Sequence, residues 1–296
     1  MKGLFMKIAL VTDSTAGLTN EEIEKNNIIV MPIPVIIGDK EYFDGIDITS
    51  EKLFQTQREG AAFPKTSQPS MGKMIELYNR LISEGYEAII DITLSGGISG
   101  YNDTLKNIAK NNPEYHLYPY DSKMTVRLQG YLVLAAAKMI KLGLQPEKII
   151  KKLDEIRDTI DELFVVDDLN NLSRGGRLSN ASAFIGTMLH IKPLLTFKDR
   201  QIVAFDKIRS MKRAVSKIEK LALQRTAELS YKDKLRFFVF YSNDLTQAKE
   251  IESFISSNFP ELPIDEAEFS PVIATHLGEK SVAIAWMIDI DKIDLR

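Results

Sequence analysis

The first half of the chain alternates short apolar runs with amphipathic patterns. Residues 7–11 and 88–93 are apolar runs, and residues 71–82 repeat apolar side chains at helical spacing after Pro69 and Ser70. Residues 102–111, 115–120 and 125–142 continue as helix, strand and helix. Strands that alternate with helices are typical of a mostly parallel sheet with helices on both faces. We therefore predict an N-terminal α/β domain over residues 1–160.

One apolar run, residues 28–37, contains two prolines, Pro32 and Pro34. Proline has no backbone N–H for a strand ladder, so this run cannot be a central strand. The pattern predicts one edge strand that leads into a hairpin turn at Gly38 and Asp39. We expect a hairpin lobe near residues 28–45.

Beyond residue 160 the pattern becomes richer in strands, with only two clear helices. Six strand-like runs cover residues 163–166, 191–196, 201–208, 235–242, 267–274 and 281–289. This spacing indicates a C-terminal α/β domain over residues 161–296. Its sheet is expected to be mixed or antiparallel, with helices packed against it.

Composition narrows the function classes. Of the 296 residues, 44% are hydrophobic and 27% charged, the formal net charge is −3, and cysteine is absent. A weakly acidic chain has no electrostatic reason to bind nucleic acid or an anionic membrane. Without cysteine there are no disulfides, which fits a reducing compartment, and we expect a cytoplasmic protein. No apolar stretch approaches the roughly 20 residues that span a bilayer.

A glycine-rich turn at residues 95–100 follows a predicted buried strand and precedes a helix. Glycines there allow backbone N–H groups to approach an anion at the positive end of the helix. A simple tight turn capped by serines explains the pattern equally well. The string differs from the P-loop and from the dinucleotide fingerprint, which argues against nucleotide phosphate.

Hydroxyl side chains recur in the loops that follow other predicted strands. They occur at residues 12–15, 65–70 and 121–122, and the simplest role for Ser70 is to cap a helix. The carboxyl ends of parallel strands meet at one edge of a sheet, where ligands of open α/β sheets bind. We expect these loops to converge on one rim together with the glycine-rich turn.

Basic side chains offer further candidates. Arg174 and Arg177 flank a glycine pair, and a guanidinium can hold a carboxylate or phosphate through paired N–H donors. A solvated turn is the more frequent origin of such a string, and Arg209 in its basic neighbourhood resembles an exposed helix start. The roles of Arg174 and Arg177 stay open at this point.

Three histidines complete the inventory of candidate residues. His116 lies within a predicted strand and His190 in an apolar stretch, so both are interpreted as structural. His276 is expected to end a strand at a glycine turn, which makes it the better functional candidate. No metal-ligand spacing is present, and no metal or cofactor is expected.

Enzyme functions are the main alternative to a binding protein. A serine hydrolase or a phosphotransferase could use the turn at residues 95–100, although the sequence has no G-x-S-x-G nucleophile elbow. A lipid sensor that signals to another protein is a third possibility.

Seven strings together resemble the DegV family, in the family's order and over essentially the whole chain from Met6. They lie at residues 11–15, 66–70, 95–100, 121–122, 174–177, 191–195 and 276–278. The resemblance implies two α/β domains with one long-chain fatty acid held between them. It also implies a protein without catalytic activity of its own. Some family members are the binding subunit of a bacterial fatty acid kinase and present the acyl carboxylate to a separate ATP-dependent subunit.

The resemblance also assigns residues by matching position. Thr66, Ser95 and the backbone at Gly96 would bind the carboxylate, and Arg209 and His276 would lie near the head group. The implied partners are the fatty acid and the kinase subunit, with transient membrane contact for lipid exchange as one option.

The chain departs from the family pattern at three places. Gly96 stands where the family usually has a serine, and Tyr101 where it has threonine. Glu279 and Lys280 replace a usual Pro-Gly pair after the histidine. The missing hydroxyl at Gly96 leaves only a backbone bond there, and the last change puts the geometry around His276 in doubt.

Overall fold

The computed structural model describes residues 6–180 and 191–296, so His190 lies outside the described residues. The strands are β1 (Ile8–Asp13), β2 (Ile28–Met31), β3 (Pro34–Ile37), β4 (Lys40–Phe43), β5 (Lys65–Thr66), β6 (Ala88–Thr93), β7 (Leu117–Asp121), β8 (Asp161–Val165), β9 (Lys192–Lys198), β10 (Gln201–Ile208), β11 (Leu235–Tyr241), β12 (Ile264–Glu268) and β13 (Val282–Ile288). The α-helices are α1 (Asn20–Asn26), α2 (Ser50–Arg58), α3 (Met71–Ser83), α4 (Tyr101–Asn111), α5 (Val126–Lys141), α6 (Pro146–Arg157), α7 (Asn170–Gly175), α8 (Met211–Ala227), α9 (Leu245–Asn258) and α10 (Pro271–Leu277). Within these two ranges, no helix combines the length and apolar character that crossing a membrane requires.

The first sheet has four parallel strands in the order β2-β1-β6-β7. Every residue of β1 and β6 is buried, and α5 packs against both strands. A strand buried on both faces reads as a continuous apolar run, which is the pattern of residues 7–11 and 88–93. The parallel α/β sheet predicted for the first half of the chain is confirmed.

The apolar run at residues 28–37 forms two strands, which corrects the prediction of one. The first part is β2, the edge strand of the parallel sheet, and the second is β3 in a separate three-stranded sheet ordered β4-β3-β5. The chain leaves the first sheet at Pro32, because the strand ladder cannot continue through a residue that lacks the backbone N–H. The N–H of the next residue, Ile33, donates instead to the hydroxyl of Ser14 at 3.0 Å. The hairpin turn between β3 and β4 lies at Gly38 and Asp39 as predicted, with Gly38 at φ 61°.

The second sheet has six strands in the order β10-β9-β8-β13-β11-β12. All neighbours are antiparallel except β11 and β12, so the sheet is mixed, as predicted. Helix α6 ends at Arg157 and β8 begins at Asp161. The domain boundary near residue 160 stays a prediction.

One predicted strand, residues 267–274, is wrong. The chain there finishes β12 at Glu268 and then forms α10, which begins at Pro271 behind the cap residue Ser270. Proline suits the first helical position because its missing N–H has no intrahelical partner there. Six of the seven residues of α10 are buried, and a short helix buried all round has the same apolar pattern as a buried strand.

The two faces of the second sheet have different neighbours. Leu163, Val239 and Trp286 point to one face, into a core that includes side chains of α8 and α9. Phe164, Phe240 and Ala283 alternate with them on the opposite face and join one continuous core with the first domain. The second sheet therefore lies between a layer of its own helices and the first domain.

Glycines allow the two domains to approach closely beside this shared core. The Ser95 hydroxyl donates a hydrogen bond of 2.7 Å to the backbone oxygen of Arg200, in the turn between β9 and β10. A Cβ atom at Gly97 would lie only 2.1 Å from that same oxygen. Only glycine fits at this point of contact.

We expect Gly97→Ala to lower the free energy of unfolding by about 1–3 kcal/mol, because the added methyl forces the two turns apart. Gly72→Ala is the matched control, since Gly72 lies within helix α3 and a Cβ there meets nothing within 4 Å. It should be neutral or stabilising by up to about 1 kcal/mol. Urea unfolding of both variants measures the difference, and equal stabilities would contradict the close contact at Gly97.

Candidate functional site

A cavity lies where the carboxyl ends of the parallel strands face the mixed sheet. Both domains line it, and its empty space measures about 890 Å³ including the open mouth. Fifteen of its 23 lining residues are apolar, among them Leu94, Met124, Phe164, Phe197, Phe240 and Ile273. The cavity is suited to a ligand that is mainly hydrocarbon.

The first domain contributes the segments that follow β6 and β7 to the cavity. Leu94 follows β6, Met124 follows β7, and Val126 begins α5. Val126 has φ 55°, a left-handed conformation that strains a β-branched residue. Backbone strain of this kind persists only where the surrounding structure holds it, and it concentrates at functional sites.

Thr66 and His276 meet in the cavity wall. Their Oγ1 and Nε2 atoms are 2.7 Å apart, although the residues are 210 positions apart in the sequence. Thr66 ends strand β5 of the three-stranded sheet, and His276 lies in the last turn of α10. The prediction that His276 ends a strand is therefore wrong, for the reason given above for α10.

His276 is uncharged at neutral pH. Burial, followed by the positive charge of Arg177, lowers the pKa of His276 to about 4. Its Nδ1 is buried and has no hydrogen-bond partner among the described residues. A Cβ atom at Gly175 would lie 2.6 Å from this nitrogen, so the glycine makes room for the imidazole ring.

Arg177 also lines the cavity, and the sequence left its role open. Its Nε donates to the backbone oxygen of Ile98 at 3.2 Å, and its Nη1 donates to the backbone oxygen of Gly175. No carboxylate of residues 6–180 or 191–296 forms an ion pair with it, and burial lowers its pKa. The guanidinium is therefore a cation in an apolar wall without a described counter-charge. The glycine pair beside it was the only signal in the sequence.

The two residues of the glycine-rich turn that we expected in the cavity wall, Ser95 and Gly96, do not lie there. Ser95 and Gly96 are absent from the described lining, although Leu94, Ile98 and Ser99 belong to it. The backbone N–H of Gly96 donates to Asp121 Oδ1 at 3.0 Å, and that of Gly97 donates to Ser95 Oγ at 3.2 Å. In this structure the turn satisfies its own donors, so a bond from Ser95 or Gly96 to a ligand stays a prediction that requires these contacts to exchange.

The loops do converge on one rim, as predicted. Asp13 Oδ2 accepts from the backbone N–H of Leu94 at 2.8 Å, which ties the end of β1 to the end of β6. Asp13 Oδ1 accepts from both the N–H and the hydroxyl of Thr15. These polar groups form hydrogen bonds with one another. They therefore stabilise the rim, and their donors are not available to a ligand.

The remaining basic candidates lie outside the cavity. Arg209 is exposed just after β10 and is not among the described residues that line the cavity with Thr66 and His276. Arg174 is exposed, with its guanidinium 5.5 Å from the ring centre of Phe63. His116 is exposed before β7 at φ 43°, which corrects its placement within a strand.

Glu162 is a second cavity residue that sequence reasoning missed. It belongs to β8, is 6% exposed, and lines the cavity beside apolar side chains. Burial raises its pKa to about 8. Glu162 precedes the predicted strand run at residues 163–166, and nothing in the sequence shows that the strand begins earlier or on which face this side chain lies.

Comparison with known proteins places this arrangement in a family. A family model described as "Uncharacterised protein, DegV family" matches residues 7–289. The chain belongs to the DegV family. It is 38% identical over 286 residues to a DegV domain-containing protein of Listeria monocytogenes, covering 95% of this chain and 99% of that protein. It is also 38% identical over 282 residues to Protein DegV of Bacillus subtilis, with 95% and 99% covered.

Solved structures of DegV proteins share the fold. The B. subtilis protein, described as a fatty acid binding protein, superimposes with a TM-score of 0.86 at 36% identity, covering 96% of this chain and all of that one. A fatty acid binding DegV family protein of Streptococcus agalactiae gives a TM-score of 0.88 at 31% identity, covering 96% and 99%.

The departure from the DegV pattern after His276 has a structural counterpart. Lys280 stands where the family usually has glycine, and it adopts φ 59°, the left-handed region that favours glycine. Glu279, in place of the usual proline, accepts from Asn243 Nδ2 at 3.0 Å and pairs with Arg58 of α2. The turn is thus held from outside by side chains, and the contact of His276 with Thr66 is formed.

The pKa of His276 predicts how stability depends on pH. Because the folded value of about 4 lies below the ordinary 6.5, protonation favours the unfolded chain. The contribution is complete above pH 6.5 and is lost as the pH falls towards 4, by up to roughly 3 kcal/mol. Between pH 7 and pH 4 the parent protein should lose about this much more stability than His276→Gln, which cannot be protonated. Parallel pH profiles of the two proteins in urea unfolding would contradict the assignment.

Proposed function

We propose that this chain binds one long-chain fatty acid in the cavity and presents its carboxylate to a partner kinase that forms an acyl phosphate. The observation that carries the proposal is a mostly apolar cavity with Thr66, Arg177 and His276 in its wall. The B. subtilis relative is described as a fatty acid binding protein, which supports the same ligand class here.

The hydrocarbon tail supplies most of the affinity. Each buried methylene contributes about 0.8 kcal/mol, so a tail of about 15 contributes roughly 12 kcal/mol before the cost of ordering. Phe164, Phe197 and Phe240 offer large apolar surfaces for it. The polar groups then decide where the carboxylate lies.

Arg177 is the group that offsets the carboxylate's charge. A fatty acid carboxylate gives the cation the counter-charge that the described residues do not provide, and hydrogen bonds to charged groups contribute about 1.5–3 kcal/mol. Thr66 and neutral His276 add uncharged hydrogen-bonding groups in the same wall. Arg177 therefore joins Thr66 and His276 as a proposed head-group residue.

The partner kinase is the finer part of the proposal. A carboxylate that hydrogen-bond donors hold in one position is already oriented for reaction with the phosphoryl group that a kinase supplies from ATP. Arg209 is exposed and outside the cavity, which suits contact with a partner more than contact with the ligand.

A stand-alone hydrolase receives less support from the geometry. The Ser95 hydroxyl donates to the backbone oxygen of Arg200, whereas His276 Nε2 contacts Thr66. A nucleophilic serine requires a base within hydrogen-bond reach, and no such pair involves Ser95 among the described residues.

Purified protein should carry about one fatty acid of roughly 14–18 carbons per chain, because the cavity is mainly apolar and has Arg177 in its wall. Denaturing extraction followed by mass spectrometry identifies the ligand and its stoichiometry. A nucleotide or a sugar phosphate in its place would overturn the lipid proposal.

Three arginine variants separate binding from presentation. Arg177→Gln should weaken fatty acid binding by about 1.5–3 kcal/mol, since the carboxylate loses its cation. Arg209→Ala should keep the affinity and reduce phosphoryl transfer by the cognate kinase. Arg174→Gln is the matched control, because this exposed arginine shares the glycine-pair turn with Arg177 and lies outside the cavity wall.

Fluorescent fatty acid titration and transfer from labelled ATP measure the two quantities on the same proteins. Equal losses of both quantities in Arg209→Ala would remove the presentation role from this residue. Full affinity in Arg177→Gln would place the carboxylate elsewhere.

A further inference from the structure

Glu162 is a carboxyl group in the apolar part of the cavity wall. It is 6% exposed, and its neighbours in β8 and β9 on this wall are Phe164 and Phe197. Burying a polar group in apolar surroundings costs free energy unless its hydrogen bonds are satisfied. An aliphatic side chain here would serve a purely hydrocarbon ligand better.

Only one oxygen of this carboxyl is satisfied by the described part of the chain. Glu162 Oε1 accepts from the backbone N–H of Phe197 at 2.5 Å and from the hydroxyl of Thr196 at 3.0 Å. With two donors directed at Oε1, the proton of a neutral carboxyl belongs on Oε2. Burial raises the pKa of Glu162 to about 8, so the neutral form is the main one at pH 7. Oε2 is then an O–H donor without a partner among the described residues.

The strand register separates this donor from the proposed head-group residues. Glu162 lies opposite Ala285 in β13, whereas Val165 lies opposite Val282. Three residues along a strand span about 10 Å. His276 precedes Val282 in the chain and lies beyond that end of the strand, next to Thr66. The O–H of Glu162, which has no partner within residues 6–180 and 191–296, therefore faces a part of the ligand remote from its carboxylate.

A role confined to holding the sheet does not account for the second oxygen. Backbone pairing between β8 and β9 ends at Phe164 and Leu195. The hydrogen bonds of the Glu162 side chain to Thr196 and Phe197 connect the two strands beyond that point. Glutamine would make the same two bonds through its own Oε1. This gives a variant that preserves the structural contact and still offers donors from its amide.

We propose that the cavity contains a second polar subsite, at Glu162, which binds an oxygen atom on the acyl chain remote from the carboxylate. The ligand class that fits both ends is a fatty acid hydroxylated in the middle or distal part of its chain. The hydroxyl accepts from Glu162 Oε2. This inference rests on the proposed fatty acid function and specifies its ligand.

The test measures relative affinity by competition against a fluorescent fatty acid. The competitors are octadecanoate and its derivatives hydroxylated next to the carboxylate, at mid-chain and near the methyl end. The parent protein should prefer one of the two remote hydroxy acids over octadecanoate by about five- to tenfold, the effect of one hydrogen bond. The derivative hydroxylated next to the carboxylate should show no such preference.

Variants attribute the preference to Glu162. Glu162→Met should abolish it, Glu162→Gln should retain most of it, and Phe164→Leu, an apolar change on the same wall, should alter all affinities together. If Glu162→Met does not fold, Glu162→Gln and Phe164→Leu still test the prediction. Equal affinity of the parent protein for octadecanoate and both remote hydroxy acids, or a preference that survives in Glu162→Met, overturns the subsite. Failure of every competitor to bind would instead overturn the fatty acid function itself.

Discussion

The cavity lies where the two domains meet, and their close contact at Gly97 holds the rim of the first sheet against the second domain. The Ser95 hydroxyl bonds to the backbone oxygen of Arg200, and the bare Cα of Gly97 lets that oxygen come close. This joins the rim of the parallel sheet to the β9–β10 turn. The hydrophobic core that the two domains share lies beside this contact, and the cavity is a gap within that core.

Glycine has a second structural role at the polar end of the cavity. Gly175 makes room for the His276 ring, and the chain then turns at Gly176 so that Arg177 reaches the wall. The two glycines between Arg174 and Arg177 thus help to position both His276 and Arg177. One glycine determines how closely the histidine packs, and the other allows the left-handed turn that ends α7.

Charge in the cavity is sparse. His276 is neutral because burial and the nearby cation of Arg177 both oppose its protonation. Glu162 is mainly neutral because burial opposes its ionisation. Arg177 is then the charged side chain of the described lining, since a guanidinium remains protonated even when burial lowers its pKa. A single cation in an apolar cavity matches a ligand with one anionic group and a long apolar tail.

Sequence patterns determined the fold class and most of its elements, because periodic burial is a local property of each segment. The parallel strands β1 and β6 were recognisable as continuous apolar runs. The resemblance to the DegV family identified Thr66 and His276 as site candidates, and both line the cavity. Helix α10 was not predicted, because a short helix buried on every side lacks the hydrophobic periodicity that distinguishes a helix from a strand. Only the tertiary structure decided that Arg177 and Glu162 line the cavity and that Ser95 bonds to Arg200 instead. Those outcomes depend on which distant segments meet, and residues far apart in sequence carry no local signal of the neighbours they will have.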